Sequence, residues 1–172
     1  MNSVAETLSF GNVSAAHPGP PPQRTGSTVF LLERGHHIEA VVEHGDARGR
    51  TMGFPTANMH LAEGYSLAFG VYAVRVAILR NGEIESWHDG VANFGIRPMY
   101  RIAQPLLEAH LFDFDGDIYG RALRVEFVAF LRPEAAFANL DALIAQIHQD
   151  AQQARDILVH FTRGGVALAS IA

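Results

Sequence analysis

The sequence predicts a mainly β fold, a small closed barrel followed by one C-terminal helix, and three observations carry that prediction. Short β-type runs broken by turn residues follow one another from Gly35 to about Leu131. After Arg132-Pro133 the apolar period becomes helical. The length of 172 residues, 48% of them hydrophobic, suits one domain with a real core rather than two full ones.

Residues 1–34 read as a disordered leader. The stretch from Ala15 to Thr28 holds four of the eight prolines and few side chains large enough to pack, so burial there cannot offset the entropy of ordering. The domain is expected over 35–160. Its first strand is His37 to Val42, which partly alternates. Val71 to Leu79 is a long strand bounded by Gly70 and by Arg80-Asn81-Gly82, a turn that predicts a hairpin into Ile84–His88. Further strands are expected at Gly90–Gly95, Leu106–Phe112 and Ala122–Phe130, and about five or six strands at this spacing suit a small barrel. Leu140, Leu143, Ile144, Ile147, Ala151, Ala154 and Leu158 then fall at helical spacing, with Asn139 as N-cap and Asp141 in the first turn. Residues 161–172 read as a frayed tail.

Composition excludes several function classes. Thirteen basic against eighteen acidic residues give a net charge of -5, which supplies no basic field for nucleic acid. The absence of cysteine removes disulfides, thiolate zinc sites and cysteine nucleophiles. Neither a signal peptide nor a run of roughly 18 apolar residues is present, so a cytoplasmic protein without membrane contact is expected. All thirteen basic residues are arginine; ATP chemistry here would have to proceed without the lysine that Walker-type loops and protein kinases place at the phosphates.

Two constellations carry chemistry. The first runs from His44 to Asn58, a glycine-punctuated loop ending in Pro55-Thr56-Ala57-Asn58. Its glycines let backbone amides approach phosphate oxygens, Arg48 and Arg50 bring positive charge, and the Thr56 hydroxyl and Asn58 amide oxygen can reach one hard cation. Spacing alone does not separate this from a glycine- and arginine-rich surface loop. The second runs from Leu107 to Gly120. Strand alternation puts Glu108 and His110 on one face and Ala109 and Leu111 on the other, so Glu108 becomes a general base for an alcohol if its face lines a pocket, and a solvated surface carboxylate if it does not. Asp113 to Asp117 looks like half an EF-hand, but Ile118 and Arg124 stand where glycine and glutamate are needed, so an acidic hairpin turn is expected. The histidines show no zinc spacing such as HExxH.

Five strings in order, Gly53 to Asn58 (GFPTAN), Phe69 to Tyr72, Gly90 to Gly95 with Arg97-Pro98, Glu108 to Leu111 with Asp117 to Gly120, and Leu131 to Glu134, closely resemble the riboflavin kinase family. This family includes the kinase half of bifunctional bacterial FAD synthetases, and the resemblance covers roughly Gly35 to Leu158. It implies a six-stranded Greek-key barrel with a C-terminal helix and transfer of the ATP γ-phosphoryl group to the 5′-hydroxyl of riboflavin, giving FMN and ADP. It further implies Mg²⁺, or another divalent cation such as Zn²⁺ or Mn²⁺, held by Thr56 and Asn58, with Glu108 as the catalytic base. Gly45, Arg48, Gly49, Arg50, Leu111, Asp113, Tyr119 and Arg132 would then serve the nucleotide, and Ala135, Leu140 and Leu143 the flavin. A monomer is expected. The adenylyltransferase half of many relatives has no counterpart, so FAD synthesis is expected to need a separate enzyme. Ala47 stands where many relatives repeat a glycine, and Ala135 where a longer polar side chain is frequent. The alternative reading is a flavin- or FMN-binding module of the same fold without turnover.

Overall fold

The computed structural model describes residues 30–31, 36–45, 48–61, 67–96 and 105–162. The rest of the expected leader, Arg97-Pro98 and the tail beyond 162 lie outside the described residues. In chain order the elements are β1 (Phe30–Leu31), β2 (His37–Val41), α1 (Arg48–Thr51), β3 (Ala57–His60), β4 (Gly70–Arg80), β5 (Glu83–Ile96), β6 (Pro105–Leu111), β7 (Ala122–Arg132) and α2 (Leu140–Thr162).

All strand pairs are antiparallel, and β2, β7, β4, β5, β6 and β3 follow one another around the sheet. A bridge between Glu43 and Asn58, with the Glu43 N–H donating to the Asn58 carbonyl at 2.8 Å, joins β2 to β3 and nearly closes a six-stranded barrel. The order β7-β4-β5-β6 is the Greek-key order, three strands in a meander and a fourth returning beside the first. The expected barrel is therefore present. β1, within the segment expected as leader, adds a two-residue pairing to β7.

The β4–β5 hairpin forms where Asn81-Gly82 predicts it. Both residues take positive φ, 52° and 82°, as the mirror-image two-residue turn between right-twisted strands requires. The expected strands 84–88 and 90–95 are one element, because β5 runs through Gly90 without a break. Gly90 is needed there, since a Cβ would stand 2.5 Å from the His110 carbonyl oxygen of β6. The segment read as a loop from His44 to Asn58 contains one helical turn, α1, and ends on a strand, β3, both too short to show a period.

Two apolar clusters follow from the alternation of side chains along the strands. The barrel interior holds Met59, Tyr72, Val74, Val76, Phe94, Leu107, Ala109, Leu123 and Val125. The second cluster lies on the outer wall, where Val71, Ala73, Val91, Val128, Ala129 and Leu131 pack against Ala154, Ile157 and Leu158 of α2. β4 is thus buried on both faces at its first half, which explains its nearly unbroken apolar run. Helix α2 begins at Leu140 as predicted, with the Asn139 side-chain oxygen accepting the Ala142 N–H at 2.8 Å. Among the described residues no helix is long and apolar enough to cross a membrane.

Candidate active site

Helix α2 covers only part of the outer wall. Between the uncovered wall, the 48–58 segment and the first turns of α2 lies a cavity of about 440 Å³, a size typical of small-molecule sites. Val71 and Val91 line it from the barrel, Phe137, Leu143 and Ile147 from the α2 side. These side chains make an apolar slot. Polar groups enter it from β3, β5, β6 and the residue just before β3: Thr56, Asn58, Asn93, Glu108 and His110.

Register accounts for this gathering. Glu108 pairs with Asn58 on one side and with Asn93 on the other, so three polar side chains stand in a row across three strands, on the face opposite Ala57, Ala92 and Ala109. The sequence-level condition for a functional Glu108, that its face lines a pocket, is met. The Asn58 side chain, 7% exposed, donates Nδ2–H to the Thr56 carbonyl at 3.2 Å. Asn93 donates to Glu134 Oε1 at 3.2 Å, tying β5 to the segment that leads into α2.

The cation reading can be tested on the glycines. A Cβ on Gly45 would fall 2.4 to 2.9 Å from the Asn58 amide atoms, and a Cβ on Gly49 would fall 2.3 Å from the Phe54 carbonyl oxygen and 3.4 Å from Thr56 Oγ1. Glycine at both places is what lets the loop close down on these two oxygen-bearing side chains. Among the described residues no group of three or more His, Asp or Glu could hold a metal by itself. Two neutral oxygen donors suit Mg²⁺, a cation that keeps its waters and completes its shell with substrate phosphates. The residues fit a metal nucleotide rather than a resident metal.

At the far edge of the slot Arg132 of β7 meets Asp150 of α2. Arg132 Nε donates to both carboxylate oxygens, at 2.9 and 3.0 Å, and Nη2 donates to Oδ2 at 2.7 Å. Asp150 is 4% exposed and also accepts from Gln146 at 2.9 Å, so this buried charge is fully engaged. One helical turn further on, Arg155 grips Asp113 through two bonds of 2.8 and 3.0 Å and lies over the Phe112 ring at 4.2 Å. Those bonds hold the Asp113 carboxyl below the usual carboxylate range and push the Arg155 guanidinium up.

Of the residues expected at a ligand site, the cavity brings together Gly49, Thr56, Asn58, Glu108, Arg132, Ala135 and Leu143. Gly45 packs against Asn58, beside Tyr119, whose ring stacks on His44 at 3.9 Å. Arg48 and Arg50 are on α1; Arg50 and Leu140, 57% exposed at the start of α2, do not line the cavity. Leu111 lies in the barrel interior, since it shares a strand face with Ala109, and Asp113 is occupied by Arg155. Sequence reasoning assigned no role to Asn93, Glu134, Phe137 or Asp150. The first two stand inside strings already singled out, and Asp150 was detectable as an acid on the apolar stripe between Ile147 and Ala154.

These features define a class, a Greek-key barrel with one helix on its wall and its ligand cavity between the two. A family model described as Flavokinase, riboflavin kinase, matches residues 32–158. The chain is 41% identical over 128 residues to the bifunctional riboflavin kinase/FMN adenylyltransferase of Bacillus subtilis (strain 168), covering 72% of this chain and 39% of that protein. It is 45% identical over 125 residues to the protein of the same name from Haemophilus influenzae, covering 73% and 39%. A solved structure titled as a macrolide-efflux protein from Streptococcus pneumoniae superposes with a TM-score of 0.61 at 34% identity, over 70% of this chain and 38% of that one. The chain belongs to the riboflavin kinase family, and it spans about two fifths (39%) of the length of the relatives it matches.

Proposed function

We propose that this chain is a phosphotransferase that moves the γ-phosphoryl group of ATP to the 5′-hydroxyl of riboflavin, giving FMN and ADP. The observation that carries this reading is the row Asn58, Glu108, Asn93 at the mouth of an apolar slot. The slot, walled by Val71, Val91, Phe137, Leu143 and Ile147, takes the isoalloxazine ring, and the ribityl chain then extends toward Glu108. Glu108 accepts the proton of the 5′-hydroxyl as the oxygen bonds to the γ-phosphorus and the bond from that phosphorus to the β,γ-bridging oxygen breaks, the bridging oxygen departing with ADP; the proton remains on the carboxyl until ADP and FMN leave. Thr56 and Asn58 would hold the divalent cation, which supplies neutralisation of charge on the transferred phosphoryl group.

Without lysine, positive charge near the phosphates comes from arginine. Arg50 on α1 is exposed and available for that work, whereas Arg132 is committed to Asp150 and so shapes the slot. The helix cover and the 48–58 segment together limit the water that reaches the reacting oxygens.

The test is to incubate the purified chain with riboflavin, ATP and Mg²⁺ and to separate riboflavin from FMN by chromatography. FMN accumulating in proportion to ADP supports the proposal. Flavin retained by the protein with no FMN would contradict it and identify a binding module.

A further inference from the structure

One contact near the site is not explained by binding of either substrate. His110, two residues beyond Glu108 on the same face of β6, lies 2.8 Å through Nδ1 from the carbonyl oxygen of Pro55. That oxygen can only accept, so Nδ1 carries the proton and the imidazole is the donor. Pro55 has no N–H of its own, and its carbonyl is the last backbone acceptor before Thr56. The ring is held in place from the sides, with Phe54 edge-on at 5.4 Å and Phe112 edge-on at 5.8 Å. Phe54 is in turn packed edge-on against His148 of α2 at 4.8 Å.

We propose that His110 is a positioning residue that fixes the Thr56 hydroxyl for the metal nucleotide by donating Nδ1–H to the Pro55 carbonyl. The inference rests on the proposed role of Thr56 and Asn58. Asn58 is set by the β3–β6 ladder, in register with Glu108. Thr56 precedes β3 and has no ladder bond. It is located instead by its neighbours: Phe54 N–H bonds the Gly49 carbonyl at 2.8 Å on one side of Pro55, and His110 holds Pro55 itself. Because Glu108 and His110 share a strand face, the same rigid element that carries the base also sets the position of the hydroxyl across from it.

The test compares His110→Phe, which keeps a ring for the Phe54 and Phe112 contacts but lacks the donor, with His110→Asn, whose amide Nδ2 occupies nearly the place of Nδ1. A non-hydrolysable ATP analogue is titrated calorimetrically with Mg²⁺ and, separately, with EDTA. For His110→Phe the dissociation constant with Mg²⁺ rises about tenfold, while the constant in EDTA stays within about twofold of the parent; His110→Asn recovers most of the loss. Equal Mg²⁺-dependent affinity in His110→Phe and the parent would overturn the inference. So would His110→Asn being as weak as His110→Phe, since ring packing would then be the cause. A parent chain that binds the analogue no better with Mg²⁺ than without overturns the role of Thr56 and Asn58, and this inference with it.

Discussion

Glu108 of β6 stands directly opposite Asn58 of β3 in the antiparallel ladder, so the carboxylate and the amide occupy one outer face of the barrel as immediate cross-strand neighbours. A Greek-key barrel usually hides its alternating apolar face inside and shows water the other. Here part of that second face is roofed by α2, and the roof turns an ordinary polar strand face into a cavity wall.

The Asn58 amide depends on having no side chain beneath it. Gly45→Ala would bring a Cβ to 2.4 Å from Asn58 Nδ2, so the amide has to move. Affinity for the Mg²⁺ nucleotide is expected to fall by about tenfold or more, with a stability loss of about 1–3 kcal/mol from overpacking at most. Calorimetric titration beside a thermal melt separates the two effects.

Asp150→Ala leaves the Arg132 guanidinium, which is largely buried, without its carboxylate. Removing one member of a buried pair costs about 3–5 kcal/mol. Urea unfolding measures that loss, and the freed Arg132 at the slot edge also weakens riboflavin binding, detectable by quenching of flavin fluorescence. Asp150→Asn, which keeps acceptor and shape, loses less of both.

Tyr72 is fully buried and donates its hydroxyl hydrogen bond to the Ala68 carbonyl at 2.5 Å; burial pushes its pKa up from 10.0 to about 12. The folded state therefore holds the phenolic proton more tightly than the unfolded state. Stability from this group is complete below pH 10 and is lost as pH rises toward 12, on the order of 2–3 kcal/mol in all. Tyr72→Phe costs about 1 kcal/mol at neutral pH through the lost hydrogen bond and shows a shallower alkaline decline. Denaturant unfolding at pH 8, 10 and 11.5 checks both statements.

Much of this arrangement was legible in the sequence. The Asn81-Gly82 turn, the long strand after Gly70 and the Asn139 cap are local chemistry and appear where local rules put them. The opposition of Glu108 to Ala109 and Leu111 followed from period-two alternation, and it also explains why Leu111 belongs to the interior. What stayed hidden is non-local. Nothing near Asn93 or Glu134 announces their hydrogen bond across 41 residues, and the Arg132–Asp150 pair forms only because α2 returns to the outer wall. β3 was missed because four residues after a proline read as the end of a loop; its partner in β6 defines it as a strand.

If Glu108 serves as the base from a cavity on the outside of the barrel, the single-turnover rate of FMN formation depends on its carboxylate, and Glu108→Gln removes only that group. The expected single-turnover rate of Glu108→Gln is about 10²–10⁴ below the parent, with nucleotide and riboflavin affinities nearly unchanged. A rate within severalfold of the parent would contradict it, because the row of Asn58, Glu108 and Asn93 would then be wall and not machinery.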